Sequence, residues 1–535
     1  MTELVRRNKK LYAEEVLKGM PRLLSMINRN EDTKTFGCCD RAYWHYKTSD
    51  FPNVRFQEAA LTLTLIYNCE YRGNIYYKNE KVKKWICGIL AFFVKIQHND
   101  GSFDELYKGE KSFGASAFVC YAISEAIKLM KNELPGALFA GVLGCLKKSA
   151  RWLNEHEDEC AINQNIITLP FFRNMQILTG DPAFNDYINK KMSYIKKNRS
   201  DEGWFYEYNG PDFGYLSVAI SYLGEYFKLS NDSRVLELAL KAIDFFNYFV
   251  SDDGYVGGEY GSRNTNYLIP NGFEIFADKS KSACKVLAKF FSGFEENVTP
   301  LKMDDKYFSY YIYCYLQAYN NFSEKLYSEE KEFYRKYFSD AKLLVIKRSR
   351  FFFVANLCKG GVFRLETRDY KYSDCGITAL NSHNLITTQW LDNKAHISLE
   401  EHDIKELLST SGNFYKIGED YMTTGKLVLL RLLGHLNTLN LKKILRKRLI
   451  LKTRKSKVRF KRTFLIKKDL AKEQLIVTDE IFGGKNLDRL KFVEKGSFIH
   501  VASSRYFHDS EIKLKSGGMI KERGNYIKIV REFEF

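Results

Sequence analysis

Asp100-Gly101-Ser102-Phe103-Asp104-Glu105, Asp201-Glu202-Gly203-Trp204-Phe205-Tyr206-Glu207 and Asp252-Asp253-Gly254-Tyr255-Val256-Gly257-Gly258-Glu259 are three versions of one phrase: an acid, a glycine, an aromatic and then a glutamate. Each follows a stretch with helical apolar spacing, and another such stretch begins shortly downstream. The same kind of loop therefore recurs between helices, which predicts helical hairpins stacked in an array. The loops also gather carboxylates, rings and glycines where binding and chemistry usually reside.

Outward from these loops, residues 81–94 carry Val82, Trp85, Ile86, Ile89, Leu90 and Phe93 on one helical stripe. Residues 56–67, 113–130, 138–153, 166–178, 215–229, 235–249, 283–291 and 307–319 read the same way, and Gly180-Asp181-Pro182 is a helix stop and restart. Antiparallel helix pairs in this number predict a closed toroid. Past Ser339 the texture changes, and residues 341–347, 351–356, 361–366, 459–466, 474–481, 498–501 and 526–530 read as strands. Residues 427–441 read as a helix inserted among them, and residues 329–340 as a linker. Helices followed by strands predict an α+β multidomain chain: an N-terminal (α/α) toroid, residues 1–335, and a C-terminal antiparallel β-sandwich domain, residues 336–535.

At 535 residues and 45% hydrophobic content the chain can bury sizeable cores. Aromatic content of 15%, with 35 Tyr and 40 Phe, suits sugar-stacking clefts, although codon bias produces the same excess. The net charge of +18 attracts polyanions, whether nucleic acid, anionic lipid heads or acidic polysaccharide. Much of it lies in residues 442–468, where 450–452 and 457–460 alternate like strands; a solvated strand face with a basic loop is the competing reading. No nucleic-acid-binding module accompanies that stretch, so no nucleic-acid partner is expected. The eleven cysteines have no framework spacing, and Cys87, Cys120, Cys145, Cys284 and Cys314 sit in apolar runs; buried free thiols in a reducing compartment fit best. The N-terminus lacks the apolar core of a secretory signal and no apolar run reaches the ~18 residues of a membrane span, so a cytoplasmic protein is expected.

Four clusters could carry chemistry. Tyr215 opens a helix after a Gly-Pro-Asp loop that begins at Glu207; a phenol there can take and return a proton, although an aromatic-rich core also accounts for it. Asn163, Gln164 and Asn165 open an apolar helix and could polarise a carboxylate, or merely cap and solvate the helix end. In Gly257 to Tyr267, Arg263 offers a fork that matches a carboxylate, Glu259 could orient it, and Asn264 and Tyr267 add hydrogen-bonding groups. His383 lies among polar residues between apparent strands and could be a second proton-transfer group, or a surface loop histidine. Asp40, Arg41 and Trp44 suit one edge of a sugar cleft, or a solvated helix start. The acidic run around His156 lacks a paired histidine at ligand spacing, and no Walker loop, Gly-x-Gly-x-x-Gly or Gly-x-Ser-x-Gly occurs, so no metal or cofactor is expected.

A helical toroid followed by antiparallel sheets, with these clusters, resembles the heparinase II/III-like and alginate-lyase-like polysaccharide lyases. The resemblance implies that an amide pair neutralises a uronate carboxylate, that a tyrosine at a helix start moves the C5 proton, and that a histidine assists. Asn163-Gln164 looks like the amide pair, with Gln where many members have His. Glu207 to Tyr215 looks like the loop leading to the catalytic tyrosine, and His383 like the β-domain histidine. The Gly-His-x-His-x-Asp stretch of that domain and the secretion signal of a scavenging lyase are absent, which fits a divergent intracellular member associated with making or trimming a surface glycan, or one that has lost activity. Residues 97–103 are similar to the Gln-x-x-x-Gly-x-Trp repeat of terpenoid-cyclase toroids, as shared geometry without shared chemistry.

The expectation is β-elimination of an acidic polysaccharide or oligosaccharide, with Tyr215 as base and acid, Asn163, Gln164 and Arg263 on the carboxylate, and His383 assisting. Hydrolysis by paired carboxylates among Asp100, Glu105, Glu207 and Glu259 is the second reading. A non-catalytic glycan-binding or scaffold protein is the third.

Overall fold

The helices are of two kinds, and the difference sets the architecture. In a computed structural model that describes residues 3–325, 332–381, 384–402, 405–418, 423–435, 454–468, 473–483, 487–493, 519–520 and 525–535, six helical units are buried on nearly every side. These are Ala59–Tyr67, Phe113–Leu129, Thr168–Thr179, Phe213–Ser230, Asn271–Phe276 and Asp305–Asn320. Each packs on the next, and the last packs on the first, so they close a ring. Six amphipathic helices form the outer layer: Glu3–Met26, Glu80–Lys95, Gly136–Glu155, Phe184–Lys197, Ser233–Asn247 and Lys281–Ser292. Each lays its apolar stripe on one inner helix. The expected (α/α) toroid is the fold observed.

The recurring phrase has one geometry. In residues 98–102 the N–H of His98 donates to the Ser102 carbonyl at 3.0 Å and that of Gly101 to the His98 carbonyl at 2.9 Å. Residues 200–204 and 251–255 repeat this pair of bonds, at 2.8 and 3.2 Å and at 3.0 and 2.9 Å. The glycines sit at φ +97°, +107° and +77°, where a side chain is strained. A Cβ on Gly101, Gly203 or Gly254 would come within 2.6, 2.3 or 2.6 Å of the backbone at Lys148, Lys241 or Lys289, each on the following outer helix. The turn is thus a spacer that lets one outer helix abut the next, with Phe103, Trp204 and Tyr255 buried beneath it. A fourth copy joins Asn28 to Cys38, with Gly37 at φ +82° and its Cβ position 2.0 Å from the Gly88 carbonyl.

The strands build two antiparallel sheets. The first has the order β1 (Tyr334–Phe338), β2 (Leu343–Lys347), β3 (Phe351–Asn356), β4 (Val362–Thr367), β5 (Lys371–Asp374). Among the described residues the second comprises β6 (Ile377–Asn381), β7 (Asn384–Thr387), β8 (His396–His402), β9 (Lys405–Lys416), β10 (Lys455–Lys468), β11 (Glu473–Phe482), β12 (Leu487–Phe492), β13 (Met519–Ile520) and β14 (Tyr526–Glu534). Its order is β13-β12-β6-β7-β9-β10-β11-β14, with β8 also on β9.

The first sheet is a middle layer. Leu343, Val345, Phe352 and Val354 join the toroid core, while Leu344, Ile346, Phe351 and Phe353 meet Leu408, Phe464, Ile466, Leu475 and Val477 of the second sheet. Burial on both faces explains why β2 and β3 are continuous apolar runs instead of alternating ones. Strand β1 lies inside the stretch read as linker; its sequence, Tyr-Arg-Lys-Tyr-Phe, is too polar to announce an edge strand. The inserted helix runs from Thr424 to His435, and the rest of that expectation, with the strands expected at 450–452 and 498–501, lies outside the described residues. None of the eleven cysteines forms a disulfide, and all but Cys87 and Cys160 are buried. No described helix is long and apolar enough to cross a membrane.

Candidate functional site

The loops that precede the inner helices Phe213–Ser230 and Asn271–Phe276 meet the β domain, through Glu202 and through residues 259–264. Asp212 caps the helix Phe213–Ser230, its Oδ1 accepting from the Tyr215 N–H at 3.4 Å. The same carboxylate accepts from the Arg263 N–H at 2.8 Å and the Thr265 N–H at 3.4 Å, and from the Thr265 hydroxyl. One N-cap therefore fixes the Arg263 loop against the helix end that carries Tyr215. A lysine from the β domain holds the other side: Lys359 Nζ, fully buried, donates to the carbonyls of Glu259 and Gly261 at 2.8 and 2.6 Å and to Asn264 Oδ1. Burial lowers the Lys359 ammonium to about 8.

Arg263 is the outstanding group. Only 3% of it is exposed, its Nε has no hydrogen-bond partner, and among the described residues no carboxylate lies within ion-pair distance. Its guanidinium lies 4.5 Å from the centre of the Tyr208 ring. Tyr208 and Asn209 both take positive φ, +52° and +78°, forming a two-residue hairpin closed by the Glu207 N–H to the Gly210 carbonyl at 3.0 Å. A tyrosine is strained in that conformation, and its ring lies against the arginine. Tyr215 is 9% exposed and no described side chain hydrogen-bonds its hydroxyl. Burial drives that phenol well above its ordinary value near 10, with Tyr307 and Tyr208 adding to the rise and Arg263 opposing it.

Glu207 lies behind this pair. One oxygen accepts from the Asn163 N–H at 2.8 Å and the other has no partner. Burial holds the carboxyl protonated far above its ordinary range, against the pull of the Asn163 backbone and side-chain N–H groups. Ser262 Oγ donates to the Glu207 carbonyl at 2.6 Å, which joins the two loops. The Gln164 side chain crosses the start of the neighbouring inner helix, where a Cβ on Gly114 would lie 2.5 Å from Oε1; that oxygen is also unpartnered. Unsatisfied buried polar atoms thus belong to Gln164, Glu207, Arg263 and Asn266, in the segments around Tyr215.

Tyr215, Asn163, Gln164, Glu207, Arg263 and Asn264 are brought together here. Asn163 serves Glu207, and Asn264 serves Lys359. Glu259, expected to orient Arg263, instead accepts from Ser373 Oγ at 2.6 Å and lies 4.0 Å from Arg364. Tyr267 is a core residue whose hydroxyl is 3.3 Å from that of Tyr311. Asp40, Arg41 and Trp44 hold the seam between first and last hairpins: Asp40 caps its helix and accepts from the Asn53 N–H at 2.9 Å, Arg41 pairs with Asp305, and Trp44 Nε1 donates to the Met26 carbonyl at 2.9 Å. His383 lies outside the described residues. The four carboxylates of the hydrolytic reading are each held by the chain: Asp100 by Lys111 at 2.6 Å, Glu105 by Lys306 at 3.1 Å, Glu207 by Asn163, and Glu259 by Ser373. Sequence reasoning passed over Asp212, Tyr208 and Lys359; only Asp212, an Asp before an apolar helix, carried a local signal. Among the described residues no group of three or more His, Cys, Asp or Glu is placed to hold a metal ion.

No protein-family model matches the chain, and no curated protein matches it by sequence. Solved structures match it in fold. The chondroitin AC lyase of Streptomyces coelicolor A3, in complex with chondroitin sulphate, superposes with a TM-score of 0.54 at 10% identity, over 92% of this chain and 68% of that one. Heparinase III gives a TM-score of 0.48 at 11% identity over 82% of this chain and 64% of its own. A cellobiose 2-epimerase from Bacillus thermoamylovorans gives 0.40 at 13% identity over 57% of this chain and 89% of its own. The first of these carries the fold: a helical toroid followed by antiparallel β-sheets. The chain spans about two thirds of the length of the two lyases it matches.

Proposed function

We propose that the chain is a carbohydrate-active enzyme that cleaves a uronate-containing polysaccharide or oligosaccharide by β-elimination. The observation that carries this reading is Arg263, a buried guanidinium with no counter-charge among the described residues, beside a buried tyrosine. An unpaired buried charge is costly unless a ligand completes it, and a planar fork suits a carboxylate. The likeness to a chondroitin AC lyase adds a fold compatible with that chemistry.

In this mechanism the uronate carboxylate pairs with Arg263, and the Gln164 amide turns its NH2 toward it. Neutralising the carboxylate acidifies the C5 proton. The Tyr215 oxygen takes that proton, the C4–O bond breaks as the C4–C5 double bond forms, and the same proton passes to the departing oxygen. The phenol rests protonated because of its burial, so the base form is scarce at neutral pH and kcat/KM should climb with pH into the alkaline range.

The test is a panel of uronate-containing glycans assayed for the UV-absorbing unsaturated product. Tyr215→Phe should lower kcat by about 10²–10⁴-fold while leaving substrate binding intact. New reducing ends without the unsaturated product would replace elimination by hydrolysis. Full turnover by the phenylalanine variant would remove Tyr215 from the chemistry.

A further inference from the structure

We propose that the helix Thr424–His435 is a docking element for an anionic lipid bilayer surface. The helix is inserted between β9 and β10, and Leu427, Val428, Leu429 and Leu432 are 41, 52, 56 and 60% exposed. Val428, Leu429 and Leu432 share one outward stripe by their i, i+3 and i+4 spacing. Arg431, about a quarter turn round from that stripe, pairs with Asp50 of the toroid at 2.8 Å and lies 5.5 Å from the centre of the Phe51 ring. The apolar stripe is therefore held outward on a fixed base.

Charge identifies the occupant. The described residues 423–435 and 454–468 hold ten Lys and Arg and no Asp or Glu, and of these Arg431, Lys455 and Arg462 are paired with carboxylates of the protein. Among them, Lys426 on the helix and Lys457, Arg459 and Lys461 on β10 are exposed. An apolar helix face adds nothing to the binding of a soluble polyanion, and basic charge alone needs no leucines. A membrane interface uses both, with leucines in the acyl boundary and cations at anionic headgroups. At twelve residues the helix is roughly 18 Å long, well short of the ~30 Å hydrocarbon core, so it lies on the surface and does not span.

The experiment is flotation of the full chain with phosphatidylcholine vesicles, with and without roughly 30% phosphatidylserine. Binding is expected only to the anionic vesicles. Leu429→Asp/Leu432→Asp should weaken it by about tenfold or more, and Lys457→Glu/Arg459→Glu should weaken it and reduce its salt dependence. Both pairs are exposed, so unchanged thermal melting checks that the variants are folded. No binding by the wild type, or equal binding to neutral vesicles, overturns the proposal. Undiminished binding by the leucine variant, displaced by soluble heparin, also overturns it and leaves a polyanion surface in its place.

Discussion

Two buried arginines in this molecule live opposite lives. Arg462, fully buried between β9 and β11, donates to Asp479 at 2.6 Å, to Asp374 at 3.0 Å and to the Gly361 carbonyl at 3.0 Å. Arg531 closes the set with bonds of 2.7 Å to both aspartates, so two cations face two anions. Arg263 is almost as buried but is given a tyrosine face, a backbone anchor and, among the described residues, no anion. The first arrangement completes itself and specifies a sheet. The second is incomplete, and what would complete it is an anionic ligand.

The sharpest way to break this comparison is to replace each arginine by methionine. Arg462→Met leaves two buried carboxylates, Asp374 and Asp479, sharing the single cation of Arg531, and should cost about 3–5 kcal/mol in denaturant unfolding. Arg263→Met removes a charge that has no partner, so stability should hold or rise while kcat/KM on the uronate substrate falls by about 10³-fold, the loss of a charge-assisted bidentate contact. Equal destabilisation by the two would dissolve the distinction. Next in size is Gly257→Ala. Gly257 has φ +77°, and its Cβ would sit 2.1 Å from the Thr265 carbonyl, forcing the loop that carries Arg263 to move. Activity should drop by about 10²-fold with a loss of more than ~1 kcal/mol in stability.

The smallest effect is in pH dependence, where the regions should differ in sign. Burial would raise the Asp374 carboxyl, but Arg462 and Arg531 hold it below its ordinary value near 3.8. Its contribution is present above that value and is lost as pH falls through the lowered one. Glu207 is raised far above its ordinary value near 4.5, so its contribution is present below 4.5 and is lost as pH rises toward the raised value. Melting curves of Asp374→Asn against wild type should therefore converge at low pH, and those of Glu207→Gln should gain on wild type as pH increases. Parallel curves at every pH would mean that neither carboxyl has the assigned proton state.

Much of the toroid was legible because its signals are local. Helical periodicity and three copies of a glycine turn specify hairpins whatever surrounds them. The fourth turn is not legible because Asn28 and Gly37 stand nine apart, where the matching partners stand three apart in the other copies. Strands β5 to β9 were missed because Ser, Thr, Asn and His supply little hydrophobic alternation, and their pairing is set by neighbours far along the chain. At the site, Tyr215 and Arg263 drew attention by residue type. The direction of each side chain did not, so Glu259 and Tyr267 were placed with Arg263 although their partners are Ser373 and Tyr311.

By itself the sequence determined an (α/α) toroid followed by antiparallel sheets, because helical period, turn glycines and β-branched or aromatic runs act over a few residues. Only the tertiary structure decided which charges are satisfied. Whether an arginine is paired depends on carboxylates that the fold brings from elsewhere in the chain, as Arg462 illustrates with Asp479 at a separation of 17 and Asp374 at a separation of 88. The cost of leaving Arg263 unpaired exists only once the fold has excluded water from it.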